Sequence, residues 1–391
     1  MAEVDHLKRA LGYTAATTFT SNLSQTSMTQ SDTETSNVLP VTADFLEEAL
    51  RETRSKFKVP AIAVSVMNAE TVYAQAIQGE RAVGKPDQAT LNDYFHIGSC
   101  AKSALAIMAA TLVEQEKIKY DSKFFDLFPE LRLRAERAYL NITLEDLLRC
   151  KAGIRAYTDP HKDPLPVYPT SIQAQRREFV NRLIEQPVTT KRDNDKYQHL
   201  YSNASYTMAA VMLERVSGLT YEALVDNVLK QELGLSPHVG WPNSIDEEQP
   251  WGHKIAKGTA TALGPDHAYK IPYLLRPAGD LSLTTQDFTR YTQWQLRGLN
   301  GADEHLKSSA LQHIHFGHPT FSLGMANSTM NGKRYSYADG SGGTFYARML
   351  IAPEADFAIT IMMNASVPKA VEALTLRIVK KHFNWWWKFW L

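Results

Sequence analysis

The feature that most constrains the fold of this chain is the placement of its strand-like runs near both ends, with a long helix-patterned stretch between them. Beyond Pro60 the run AIAVSVMNAETVYAQAIQGE reads as two apolar strands around a turn at Asn68 to Glu70. Far along the chain, RYSYADGSGGTFYARMLIAP and DFAITIMMN read as further strands. Between about 120 and 300, the segments DLFPEL, TLEDLLRCKAGI, SYTMAAVMLERVSGLTYEALVDNVL and LTTQDFTRYTQWQLRGL place apolar residues at helical spacing, with Pro-rich and Gly-rich connections. Thr42 is placed to cap a helix through Phe45, Leu46, Ala49 and Leu50, and VPKAVEALTLRIVKKHF returns to helix. A sheet supplied from both ends and flanked by helices predicts an α+β fold (an α/β sandwich), with a mainly antiparallel sheet and a mostly helical insertion. No repeat of fixed period is present.

Bulk composition narrows the function classes. With 391 residues, 44% of them hydrophobic, the chain can bury a large core as one big domain or two joined layers. Lys plus Arg (42) balance Asp plus Glu (42), and no run of five or six like charges occurs. Nucleic acid and anionic surfaces are therefore not expected partners, and a neutral or modestly polar small substrate fits better. Two cysteines, Cys100 and Cys150, are too few for a disulfide framework and far from zinc-ligand spacing, so they read as buried thiols. His313, His315 and His318 suggest a metal on composition, but no carboxylate or cysteine lies near them in sequence. They read as surface or core histidines, and no metal or cofactor is expected. Residues 14–40 are rich in Ser, Thr, Asn and Gln, so 1–42 reads as a flexible leader. It lacks the basic and apolar blocks of a secretory signal, and no window is apolar enough to span a membrane, so a cytoplasmic location is expected. The tail at 384–391 contains Trp385, Trp386, Trp387 and Trp390. Docking on the domain or on a partner subunit is its favoured reading, over a lipid interface.

Ser99-Cys100-Ala101-Lys102 places a hydroxyl and an amine three residues apart, where an apolar helix running to Glu116 begins. On a helix this spacing puts both on one face. Serine becomes a nucleophile only when a neighbouring base takes its proton, and lysine serves if its ammonium is destabilised. A helix start also turns backbone N–H groups towards an oxyanion. Ser55-Lys56-Phe57-Lys58 has the same spacing, but it lies in a charged helix end running into Val59-Pro60 and reads as a solvated pair. Tyr201-Ser202-Asn203, just before another helix, supplies a phenol able to relay protons and an amide able to hold a lysine. Its decoy, Tyr139-Leu140-Asn141, reads as a cap or turn before TLEDLL.

The blocks FHIGSCAK, LEDLLRCKAGI, YSNASYTMAAVMLERVSGLTYEAL, RPAGDLSLTTQDFTRYTQWQL and GGTFYARMLIAPEADFAITIMMN resemble, in that order, the serine β-lactamase and penicillin-recognising superfamily. The likeness is greatest to class C β-lactamases, D-alanyl-D-alanine carboxypeptidases and related family VIII esterases and acyltransferases. It implies one catalytic domain over 43–383, with a sheet lobe (about 43–98 and 320–383), a helical lobe (about 99–319) and the active site between. It also implies that Ser99 is acylated, that Lys102 and Tyr201 move protons and that Asn203 closes the second motif. The family's third motif, Lys or His, then Thr or Ser, then Gly, falls on Ala338-Asp339-Gly340 without a gap, or on Gly340-Ser341-Gly342 in a shifted register. Neither supplies the cation. In the ungapped register the N–H of Ser341 joins that of Ser99 in the oxyanion hole. By analogy with the family's loops, Tyr157 and Trp251 line the acyl pocket. Asp339 is expected to face solvent, the rival being a place beside the lysine. The resulting expectation is a serine acyl-enzyme hydrolase, an esterase or amidase for a small ester, thioester or amide. An acyltransferase or other biosynthetic enzyme using the same site, or a catalytically silent binding protein of the same fold, is the alternative.

Overall fold

A computed structural model describes residues 41–383, apart from 160–162, 169–170, 194–195, 268–269 and 331. All but the last two residues of the expected leader, and the whole tryptophan-rich tail, lie outside the described residues.

Helix α1 (Ala43–Phe57) starts where Thr42 Oγ1 accepts from Phe45 N at 3.3 Å. Strands β1 (Ala61–Met67) and β2 (Val72–Gly79) form a hairpin whose turn is fixed by Asn68 Oδ1, which accepts from Glu70 N and Thr71 N. A short strand β3 (Tyr94–His96) and a 3₁₀ turn (Gly98–Cys100) then lead into helix α2 (Ala101–Glu114). The following stretch includes the short helix Leu144–Leu148, α3 (Ile172–Ile184) and α4 (Asn203–Ser217). Next come β4 (Ser282–Thr284), α5 (Thr285–Leu299) and α6 (Ser308–Phe316). The last described elements are β5 (Ala326–Met330), β6 (Lys333–Ser341), β7 (Tyr346–Ala352), β8 (Phe357–Met363) and α7 (Pro368–His382).

The six long strands form one sheet in the order β2-β1-β8-β7-β6-β5, every neighbour antiparallel. β1 and β8 are buried on both faces, which is why they read as unbroken apolar runs. Alternation still sorts their side chains: Ile62, Val64, Val66, Ile359 and Ile361 pack with Leu46, Leu50, Val371 and Leu374 of α1 and α7. Ala61, Ala63, Met67, Ala358 and Met362 face the other core, shared with Leu105 of α2 and Phe288 of α5. Each fully buried Leu or Ile on these faces contributes about 1.5–3 kcal/mol relative to exposure. The second core runs on through Phe124, Leu147, Tyr206 and Met208, so sheet and helical parts are packed as one body.

The α+β architecture is the one the sequence implies, with local differences. The helix expected up to Glu116 ends at Glu114 and is preceded by the 3₁₀ turn. The middle of the chain also holds a hairpin, Gly252–Ala256 with Thr259–Leu263. Before Leu144 the cap is Thr143, in a reciprocal capping box with Asp146, while Asn141 lies exposed in the turn. Among the described residues no helix is long and apolar enough to cross a membrane.

Candidate active site

Pairing of β3 with β4 fixes the segment before Ser99 against Leu281 and its neighbours, with Ile97 N donating to Leu281 O at 2.8 Å. The chain then turns sharply at Gly98 (φ +50°). A Cβ there would lie 2.5 Å from Ser341 N, and one on Gly340 would lie 1.8 Å from Ile97 O and 2.8 Å from Ser99 N. Two glycines therefore permit the end of β6 to touch the serine turn, bringing the backbone N–H groups of Ser99 and Ser341 to one junction. Beneath it, Nδ1 of the fully buried His96 accepts from Gly98 N (3.2 Å), so the proton of a neutral ring sits on Nε2, facing Asp280 Oδ1 (3.2 Å). The ring stacks on Trp241 at 4.4 Å, and Asp280 is held in turn by Arg276 Nε (3.1 Å). Cys100, next to the serine, points its thiol at the carbonyl of Ala338 (3.4 Å), and burial pushes that thiol well above its usual range. It is no competitor as a nucleophile.

Lys102, 1% exposed, enters the same space from the first turn of α2. Its Nζ lies 3.1 Å from Ser99 Oγ, 2.8 Å from Asn203 Oδ1 and 2.7 Å from the carbonyl of Ala278. The Tyr201 ring centroid is 4.6 Å from Nζ and that of Tyr206 is 5.3 Å away. Three oxygens match the three protons of an ammonium. They match a neutral amine equally well: two protons go to Asn203 and Ala278, and the lone pair meets the Ser99 hydroxyl.

Asn203 is the first residue of α4, after the cap Ser202, whose Oγ accepts from Ser205 N (3.0 Å). Its Nδ2 donates to the carbonyl of Tyr157 (3.1 Å), which orients the amide so that Oδ1 faces the lysine. Tyr157 thus reaches the site by its backbone. Its ring, expected to line an acyl pocket, is buried edge-on against Phe179 at 5.0 Å. Trp251, the other expected pocket residue, donates to Glu247 O and carries Lys85 over its ring at 3.9 Å.

Asp339 corrects both sequence readings. It faces neither solvent nor Lys102 but pairs across strands with buried Arg348 (Oδ1 2.6 Å, Oδ2 2.5 Å). The pleat explains this: Ala338 and Gly340 point towards the serine turn, so Asp339 must point to the opposite face. Ser341 likewise turns its hydroxyl away, to Ser366 Oγ (2.8 Å), leaving its backbone at the junction.

The sequence therefore brings together Ser99, Lys102, Tyr201, Asn203, Gly340 and the backbone of Ser341. His96 reads in the sequence as packed under the site, and it is; Ala278, which contributes a carbonyl with no side-chain signal, and Asp280, the partner of His96, were not revealed. A histidine two residues before a glycine is visible, but its partner lies far along the chain.

The three-dimensional fold is similar to several solved structures. An octameric penicillin-binding protein homologue from Pyrococcus abyssi matches with a TM-score of 0.70 at 20% identity, over 85% of this chain and 76% of that one. A beta-lactamase from Sulfitobacter sp. EE-36 matches with a TM-score of 0.68 at 17% identity, over 86% and 97%. A class C beta lactamase from Rhodobacter sphaeroides matches with a TM-score of 0.65 at 16% identity, over 85% and 98%. Among curated proteins, unguisins hydrolase ungD of Aspergillus violaceofuscus (strain CBS 115571) is 21% identical over 262 residues, 64% of this chain. The match spans only 44% of that relative's length. The family model described as Beta-lactamase matches residues 46–382, nearly the whole described chain, and the chain belongs to the beta-lactamase family.

Proposed function

We propose that this protein is a serine acyl-enzyme hydrolase for a small neutral ester, thioester or amide, with Ser99 as nucleophile and Lys102 and Tyr201 as its proton carriers. The observation that carries this reading is the 3.1 Å contact of buried Lys102 Nζ with half-buried Ser99 Oγ, beside two further neutral oxygens. Neutral Lys102 takes the Ser99 proton as Oγ attacks the substrate carbonyl, and the N–H groups of Ser99 and Ser341 hold the oxyanion. Tyr201 gives its phenolic proton to the leaving group and takes back the one held by Lys102. Water then attacks the ester of Ser99 with the same groups run in reverse.

Members of the family are mostly serine hydrolases, and the curated relative bears the name of a hydrolase, which supports the reaction class. The substrate class rests on charge. Ala338 stands at the third motif's cation position, and the guanidinium of Arg348 is engaged by Asp339 on the other face of the strand. A substrate carboxylate has no counter-ion from that motif, which favours a neutral substrate. Transfer to an acceptor hydroxyl shares every step up to the acyl-enzyme and differs only in what attacks it.

Incubation with a fluorophosphonate probe followed by peptide mass spectrometry is expected to place one adduct on Ser99. Turnover of p-nitrophenyl butyrate should disappear in Ser99→Ala and Lys102→Ala. A folded protein that takes no adduct would instead be a binding protein of this fold, and equal turnover in all three proteins would exclude the site.

A further inference from the structure

We infer that Glu145, His313 and His318 form a binding site for a borderline divalent transition cation of the zinc class. This site is separate from Ser99, and the inference is independent of the proposed acyl chemistry.

The sequence separated these residues, but the fold joins them. Glu145 comes from the first turn of the helix Leu144–Leu148, His313 from α6 and His318 from the loop just beyond its end. One carboxylate oxygen, Glu145 Oε1, lies 2.9 Å from His313 Nε2 and 3.0 Å from His318 Nε2. The three ligand atoms all lie within 4.8 Å of one another, and the two rings stand edge to face with centroids 5.5 Å apart. Ligands about 2.0–2.1 Å from a tetrahedral zinc ion are roughly 3.3–3.4 Å from one another, so the nitrogen–oxygen gaps need open by only a few tenths of an ångström. Two imidazoles and one carboxylate are the donor set of many zinc sites, and the partial exposure of all three residues leaves room for a water as fourth ligand. On binding, each Nε2 gives its lone pair to the ion and its proton moves to Nδ1.

The residues that frame the cluster are fixed. Glu145 N donates to the carbonyl of Tyr120 (2.9 Å), whose ring lies 4.7 Å from that of His313. Ser322 Oγ donates to the carbonyl of His313 (2.7 Å), and Asn327 Nδ2 donates to that of His318 (2.8 Å). These contacts fix the backbone from which the three side chains project. An ion here would fasten the 317–325 loop to the helix Leu144–Leu148. The same loop carries Phe321, whose ring meets Tyr201 edge-on at 6.1 Å.

The test is calorimetric titration of tag-free, EDTA-treated protein with zinc chloride near neutral pH, alongside the absorption spectrum with cobalt(II). One zinc ion per chain is expected at a Kd of ~10 µM or tighter, with visible cobalt ligand-field bands. His318→Ala and the near-isosteric Glu145→Gln should each weaken binding by about tenfold or more and remove the bands. Failure to bind at about 100 µM zinc, or equal affinity in wild type and both variants, would overturn the inference.

Discussion

Ser55 with Lys58 and Ser99 with Lys102 share one spacing and have opposite surroundings. The first pair sits at the exposed end of α1, where Lys58 has left the helix in a left-handed conformation (φ +58°). Hydroxyl and amine there face water, and no base is held against the hydroxyl, which stays a poor nucleophile. In the second pair the lysine is buried, and three separate chain segments aim oxygens at its nitrogen. Four residues can bring a serine and a lysine together, but only the fold can bury the lysine and bring oxygens from other segments to its nitrogen.

The comparison breaks most directly by removing each lysine in turn. Lys102→Ala should slow acylation of Ser99 by about 10²–10⁴-fold, whereas Lys58→Ala should leave the labelling rate unchanged. An adduct on Ser55 that disappears in Lys58→Ala would show that spacing alone suffices. Next in size is the close approach of β6. Gly340→Ala drives a methyl into Ile97 O, so turnover should fall by about 10²–10³-fold through the displaced N–H groups, with about 1–3 kcal/mol of stability lost in a urea melt. An unchanged kcat would mean that the junction of Ser99 and Ser341 plays no part in the chemistry. Acid separates the two regions less strongly. His315, behind β6 and bonded to Ser336, is held down to about 3 by burial, so the folded state keeps it neutral while the unfolded chain takes a proton near pH 6.5. His315 should therefore contribute a loss of about 1 kcal/mol between pH 6.5 and 5.5, on top of that from other histidines held low, His199 and His382 among them, and a folded His315→Gln protein should show a dependence smaller by that amount. A fluorescence-monitored urea series at several pH values checks it. The smallest effect belongs to the exposed pair: Lys58→Gly relieves a left-handed backbone and should add roughly 0.5–1 kcal/mol in the same melt, without altering labelling.

What the sequence carried and what it withheld follow from where the signals lie. The hairpin around Asn68, the Thr42 cap and the apolar β1 and β8 are local or periodic, and local patterns survive without knowledge of neighbours. Lys102 reached Ser99 because an early helical turn fixes that distance within four residues. Asp339 was misread because its facing depends on the pleat register of β6 against β7, which no single strand declares. What the sequence withheld at Tyr157 is its left-handed backbone (φ +49°) and the carbonyl that receives Asn203 Nδ2, since neither carries a side-chain signal. Glu145 escaped notice as a companion of His313 and His318 because sequence proximity was the wrong criterion for side chains on separate elements.

The sheet order has a consequence for how the chain matures. β1 is bordered by β2 on one side and by β8 on the other, and Asn364, just after β8, receives Ala61 N from 303 residues away. During synthesis the first hairpin must therefore wait, one edge open, while most of the polypeptide is made, and an open apolar edge invites pairing with other chains. Because β6 also packs against the turn that carries Ser99, a ribosome-bound fragment ending before that strand has neither a complete sheet nor a formed junction at Ser99. Truncation there should yield aggregates and not a smaller folded protein.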